Sequence, residues 1–195
     1  MIYIIRHGQT ELNSRGVLQG RSDYPLNEKG FAQAKEAAEK LRDISFAAVW
    51  SSPLLRALQT AKIVAPGLAP VVDKRLLEMD YGPYEGAELN RLPPEVLTFF
   101  RDFVHNPAPD GMEPLDSVVR RAGEFMETCC RTEENILIST HAIAMKGILE
   151  YLTPGSDGAY WSKYIGNCEV YITSFQNGHF LIPTELVSPR GDKLS

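Results

Sequence analysis

The chain has 195 residues, 44% of them hydrophobic and 23% charged, with a net charge of -5 at pH 7. That length suits one domain (residues 1–195), which can bury about 70% of its unfolded surface without a disulfide or metal staple. An acidic balance without a basic block leaves no footprint for nucleic acid, and no run approaches the roughly 18 apolar residues of a membrane span. The three cysteines, Cys129, Cys130 and Cys168, contain no C-x-x-C pair, and an odd number is not a disulfide framework. The apolar start is too short for a signal sequence and lacks a basic flank, so a soluble, cytoplasmic protein is expected.

Residues 2–5 form a β-branched apolar run, the pattern of a strand buried on both faces. Residues 8–27 are polar, broken by Gly16, Gly20 and Pro25, and read as a long loop; loops of that length usually have a function. Asn27 then suits a helix N-cap, with Leu26 and Phe31 as a hydrophobic staple and Phe31, Ala34, Ala38 and Leu41 on one face. A second strand is expected over 46–50, followed by Ser52 as cap and Pro53 as first residue of a helix reaching 64. Val71-Val72 reads as a short strand and 76–90 as an irregular loop. Helices are expected over 93–104 and 115–131, a strand over 136–139 and a helix over 142–152. Residues 169–175 and 179–186 alternate around Gln176-Asn177-Gly178, a hairpin signal, and 188–195 form a polar tail expected to fray. A strand is thus followed by a helix three times. This predicts a three-layer α/β domain with a mostly parallel central sheet, helices on both faces and antiparallel edge strands.

In open α/β sheets ligands bind outside the carboxyl ends of the strands. That rim collects Arg6-His7-Gly8, Ser51-Ser52-Pro53 with Arg56 one turn on, and Ser139-Thr140-His141. Two histidines and two arginines converge there, beside a helix amino end that favours an anion. Arg6 and Arg56 suit bidentate clamping of phosphate, and their charges keep a neighbouring imidazole neutral, the form in which His7 is a nucleophile.

The ordered set Arg6-His7-Gly8-Gln9-Thr10-Glu11 with Asn13, Gln19-Gly20-Arg21-Ser22-Asp23-Tyr24-Pro25-Leu26, Ser51-Ser52-Pro53-Leu54-Leu55-Arg56-Ala57, Glu78 with Gly82, Glu85 and Gly86, Thr140-His141 and Asn167-Cys168-Glu169-Val170 resembles the histidine phosphatase superfamily. This is the clan of cofactor-dependent phosphoglycerate mutases and their phosphatase relatives. The resemblance implies that His7 becomes phosphorylated. It implies that Arg6, Asn13, Arg56 and the second catalytic histidine, His141, hold the phosphoryl oxygens, with Gln19, Gly20 and the backbone of Ala142 in the same phosphate site. Glu78 is then the proton donor to the leaving oxygen and the base that activates water. Ala142 stands where many relatives have glycine, and Gly111-Met112-Glu113-Pro114 departs from their Gly-Glu-Ser.

The resemblance implies a helical lid over about 79–130, no metal or other cofactor, and a small phosphate ester as partner; it leaves room for a homodimer. The loop 79–86 looks closer to the phosphatase branch, and the lid lacks the basic insert that a mutase needs to hold a bisphosphorylated intermediate. Hydrolysis of a phosphomonoester is therefore the expected reaction. The alternatives are mutase-type transfer, a non-catalytic phospholigand module, and a metal site formed by His7, His141 and Glu78. The aromatic set Tyr81, Tyr84, Phe99, Phe100 and Phe103 reads first as core.

Overall fold

The computed structural model describes residues 1–186, so the tail expected to fray lies outside the described residues. Strand β1 (Ile2–Arg6) carries the first apolar run and is followed by a one-turn helix α1 (Glu11–Ser14) within the expected loop. Thr10 and Asn13 build α1 as a reciprocal capping box, each side chain accepting the other's backbone N–H. Helix α2 (Glu28–Lys40) starts as expected, with the Asn27 side chain accepting from Gly30 N at 2.8 Å.

The buried face of α2 differs from expectation. Gly30, Ala34, Ala37 and Leu41 are buried, whereas Phe31 is 37% exposed. The cause is a close approach of two backbones. A Cβ on Gly30 would lie 2.1 Å from Gln9 O, and one on Gly8 would lie 2.5 Å from Gly30 O. The first turn of α2 rests directly on the chain leaving β1, and this turns Phe31 outward.

Strand β2 (Ala48–Ser51), helix α3 (Leu55–Val64) and the exposed strand β3 (Val71–Val72) follow. The irregular stretch contains 3-10 turns at Lys74–Leu76, Gly82–Tyr84 and Leu89–Arg91. Then come α4 (Pro94–Arg101), α5 (Leu115–Cys129), β4 (Ile136–Thr140), α6 (Ala142–Leu152), β5 (Val170–Thr173), β6 (Phe175–Gln176), β7 (His179–Phe180) and β8 (Thr184–Glu185). The helix expected over 93–104 stops at Arg101, where the Asp102 backbone leaves the helical region.

The sheet order is β3-β2-β4-β1-β5-β8, parallel from β3 to β1, with β5 antiparallel to β1 and β8 antiparallel to β5. Asn177 and Gly178, both at positive φ, turn the expected hairpin, but its strands β6 and β7 form a separate ribbon. The two faces of β1 feed two cores. Ile2 and Ile4 pack with Phe125, Met126, Met145 and Leu149 of α5 and α6. Tyr3 and Ile5 pack with Ala37, Leu41, Ala61 and Val64, on and beside α2 and α3. A third cluster, including Tyr81, Val96, Phe99, Met112, Val118, Ile143 and Trp161, joins residues 79–119 to α6.

Alanine normally gains about 1 kcal/mol over glycine inside a helix. For Gly30→Ala the sign should reverse, to a loss of about 1–3 kcal/mol from overpacking against Gln9 O, read from urea unfolding midpoints.

Candidate active site

The two central parallel strands deliver the two histidines. Arg6 of β1 lies opposite Thr140 of β4, and each histidine is the next residue. Strand spacing is about 4.8 Å, and the rings of His7 and His141 sit 5.1 Å apart at 62°. His7 N donates to Thr140 O (2.9 Å), and His7 O accepts from Asn167 Nδ2 (3.0 Å). His7 Nδ1 lies 2.7 Å from Gly8 O, which can only accept, so Nδ1 carries the proton. The bare Nε2 accepts from Arg56 Nε at 3.2 Å. Burial, followed by the Arg56 and Arg6 charges, holds His7 well below the usual histidine value, against the opposing pull of the Gly8 bond.

Arg56 lies in the first turn of α3 and is fully buried. Its Nη1 donates to Ser22 O and its Nη2 to Gly20 O, both at 2.8 Å. That loop is pinned by Glu85, whose carboxylate accepts from the N–H groups of Gly20, Arg21 and Ser22 and from Ser22 Oγ. Burial pushes Arg56 down to about 10, opposed chiefly by Glu78 and then Asp23 and Glu85, so it stays charged at neutral pH. Gly20 thus gives its N–H to Glu85 and its carbonyl to Arg56. A Cβ there would lie 2.5 Å from Met79 O.

Arg6 donates to Ile165 O at 2.5 Å, and its buried Nε has no internal partner among the described residues. Gln19 Oε1 accepts from Thr10 Oγ1 (2.6 Å), while its buried Nε2 is likewise unpartnered. Asn13 Oδ1 is engaged in the α1 capping box, so its Nδ2 is the group it can offer. His141 Nε2 lies 2.7 Å from Ser52 Oγ, and its buried Nδ1 has no partner among the described residues. Burial, then Arg56 and His7, lowers the His141 pKa well below 6.5. Buried donors are rarely left unpaired, so unpaired nitrogens on Arg6, Gln19 and His141 suit a ligand rich in acceptor oxygens.

Ser52 corrects an expectation. It does not begin α3; Leu54 is the N-cap without a side-chain bond, and Asp23 Oδ1 accepts from Leu55 N at 2.6 Å. The Ser52 hydroxyl pairs with His141 and accepts only a long 3.4 Å bond from Leu54 N.

Glu78, 4% exposed, caps α6 from outside the helix. Oε1 accepts from Met79 N (2.9 Å) and Ala144 N (3.0 Å), and Oε2 from Ile143 N (3.2 Å). The N–H of Ala142, at the first position of α6, is not among Glu78's partners. Arg121 fixes the approach to Glu78 by donating Nη1 to Arg75 O and Leu77 O (2.7 and 2.6 Å). Its other nitrogens hold Glu113, which also accepts from Arg21 and Asp80 N. Among the described residues no three His, Cys, Asp or Glu side chains are gathered as metal ligands.

The sequence profile of the histidine phosphatase superfamily (branch 1) matches residues 2–184. The chain belongs to that superfamily. Among its curated relatives is a probable phosphoglycerate mutase GpmB of Yersinia pestis, 30% identical over 98% of this chain and 92% of that one. YhfR of Bacillus stearothermophilus superposes with a TM-score of 0.83 at 30% identity, covering 93% of this chain and 94% of that one. Phosphoserine phosphatase of Entamoeba histolytica, solved with 3-phosphoglyceric acid, gives 0.83 at 25% identity, covering 96% and 97% of the two chains. This chain is an α/β enzyme of that superfamily, phosphatase or mutase-like.

Imidazole NMR titration checks the electrostatics of the pair. A pKa lowered by folding means that the native state resists protonation, so both rings should stay neutral as pH falls through 6.5. The unfolded chain binds those protons first, so the stability that this neutrality confers is present above pH 6.5 and is lost as pH falls toward the folded values. Titration of either ring at or above 6.5 contradicts this reading.

Proposed function

We propose that the chain is a metal-independent phosphomonoester hydrolase acting on a small phosphorylated metabolite through a phosphohistidine at His7. The observation that carries this reading is the state of His7: neutral, with its proton anchored on Gly8 O and Nε2 bare beside the buried charge of Arg56. In the first step Nε2 attacks phosphorus, the P–O ester bond breaks and the leaving oxygen takes a proton from Glu78. In the second, water attacks phosphorus, the P–N bond breaks and Glu78 recovers a proton from the water. Glu78 Oε2 accepts only the longer 3.2 Å bond, so it is the oxygen with room for that proton. Arg56 Nε turns from Nε2 to a phosphoryl oxygen, joined by Arg6, Asn13, Gln19, His141 and the Ala142 N–H. Gly20 supports them through Arg56. These donors stabilise the charge developing on the transferred group.

Residues 79–130 serve as the lid in this scheme. Hydrolysis is favoured over transfer because the basic residues there are already engaged or exposed. Arg121 is held by Glu113 and two carbonyls, and Arg91 pairs with Glu88 at the surface. The named relatives support a small ester: the Entamoeba phosphatase was solved with phosphoserine as well as with 3-phosphoglyceric acid.

Hydrolysis of an aryl phosphate in excess chelator, with acid-labile phosphoenzyme trapped, tests the scheme. Wild type should turn over and retain label, and His7→Ala should do neither; chelator-sensitive turnover or label on the variant overturns it. Arg56→Ala should cost about 2–5 kcal/mol of transition-state stabilisation in kcat/KM, the range for removing one partner of a buried charge contact. Glu78→Gln should slow alkyl phosphates far more than activated aryl phosphates, and equal slowing would remove Glu78 from the donor role.

A further inference from the structure

Glu78 lies in a stretch that no hydrogen-bond ladder holds, because residues 77–81 belong to no helix or strand. A proton donor must nevertheless meet the leaving oxygen within hydrogen-bond reach, and a misplacement of about 1 Å can cost about a hundredfold in rate. Side chains from other elements take the place of the ladder, and they hold the backbone on both sides of Glu78.

Three successive carbonyls lead up to it, and each accepts from such a side chain. Arg121 Nη1 donates to Arg75 O at 2.7 Å and to Leu77 O at 2.6 Å, and Thr140 Oγ1 donates to Leu76 O at 2.8 Å. Thr140 ends β4 and precedes His141, so the middle bond ties this approach to the strand that carries the histidine. Beyond Glu78, Asp80 is held at both ends by one residue. Its N–H donates to Glu113 Oε2 at 3.1 Å, and its carbonyl accepts from Glu113 N at 2.8 Å.

Arg121 closes the bracket, donating Nε to Glu113 Oε1 at 2.7 Å and Nη2 to Oε2 at 3.1 Å. Burial opposes the charge of Glu113, but the hydrogen bonds and charge of Arg121 outweigh it, so the pKa is lowered and the carboxylate stays ionised. One guanidinium thus reaches both flanks of Glu78, directly at Leu77 and through Glu113 at Asp80. The planar fork is what allows this, since its N–H groups leave in fixed, different directions; an ammonium is a point donor. The α6 end supplies the other constraint, with Ile143 N and Ala144 N on the Glu78 carboxylate itself.

We propose that Arg121 and Glu113 are positioning residues for proton transfer. Together they hold the backbone of Glu78 so that its carboxyl serves the leaving oxygen in the first step and the attacking water in the second. This rests on the proposed hydrolysis at His7 with Glu78 as acid and base.

Such a role gives a selective defect. In kcat/KM, Arg121→Met should slow phenyl phosphate at least about tenfold more than 4-nitrophenyl phosphate, whose leaving oxygen needs little protonation. Rapid-quench trapping should show phosphoenzyme forming from 4-nitrophenyl phosphate within about threefold of the wild-type rate, then decaying at least about tenfold more slowly for want of an aligned base. Glu113→Gln, which keeps the size and removes the charge, should give the same pair of effects if Arg121→Met fails to fold. Arg121→Lys should give them too, because it keeps the charge that acts on His141 but not the fork. Full recovery in the Lys variant overturns the proposal by tracing the effect to charge at the histidine. So does equal slowing of both esters with slow phosphoenzyme formation, which marks a general prop of the fold. Wild-type leaving-group dependence and decay in the variants overturn it as well. Absence of trapped label in wild type would instead sink the hydrolase reading.

Discussion

The fully buried guanidinium of Arg56 imposes conditions on everything around it. Taking such a charge out of water costs several kcal/mol unless its N–H groups find acceptors. Here the acceptors are Gly20 O, Ser22 O and His7 Nε2. Two carbonyls of one short loop must therefore point at α3, and Glu85 holds them there by accepting the N–H groups on the other side of the loop. Burial, and after it the same charge, keeps both imidazoles neutral. Loop shape and the neutrality of the histidine pair thus both lean on one buried group.

The parts legible in the sequence are those governed by neighbours along the chain. The β-branched run of β1, the Asn27 cap, and the extents of β4 and α6 depend on local pattern, and the strand-end rule located Arg6, His7, Arg56 and His141 on one rim. Phe31 was misread because the α2 face is chosen by a backbone contact between Gly8 and Gly30, which no periodicity encodes. Glu85 and Ser52 escaped because their roles depend on partners far along the chain: Glu85 meets Ser22 across 63 positions, and Ser52 meets His141 across 89. Arg121 braces the backbone before Glu78 from 44 positions away, a role that no local pattern marks. Glu78 itself could be singled out from its acidic neighbours only through family resemblance. Its physical mark, the capping of α6 from a separate turn, exists only in three dimensions.

Hydrogen bonds of different origin divide the labour around the site. Backbone groups hold the shape of the floor, while the carboxylates of Glu85 and Glu113 tie loops together. Glu113 joins Arg21 of the rim loop to Arg121 of α5, so the rim and the helical segment above it share one ionic clasp. The aromatic cluster of Phe99, Phe100 and Phe103 completes that segment as packed core, with tilted and edge-on ring contacts at 4.8 to 5.6 Å.

The register of β1 against β4 has an evolutionary consequence. The separation of the two imidazoles is set by a parallel hydrogen-bond ladder rather than by side-chain packing, so substitutions in the surrounding helices leave it alone. Residues 79–119, by contrast, meet the rim through backbone bonds at Gly16 and Leu18 together with the side chains of Glu85 and Glu113, and single codon changes can replace the latter. A lineage can rewrite those side-chain attachments while the histidine pair is inherited intact with the ladder.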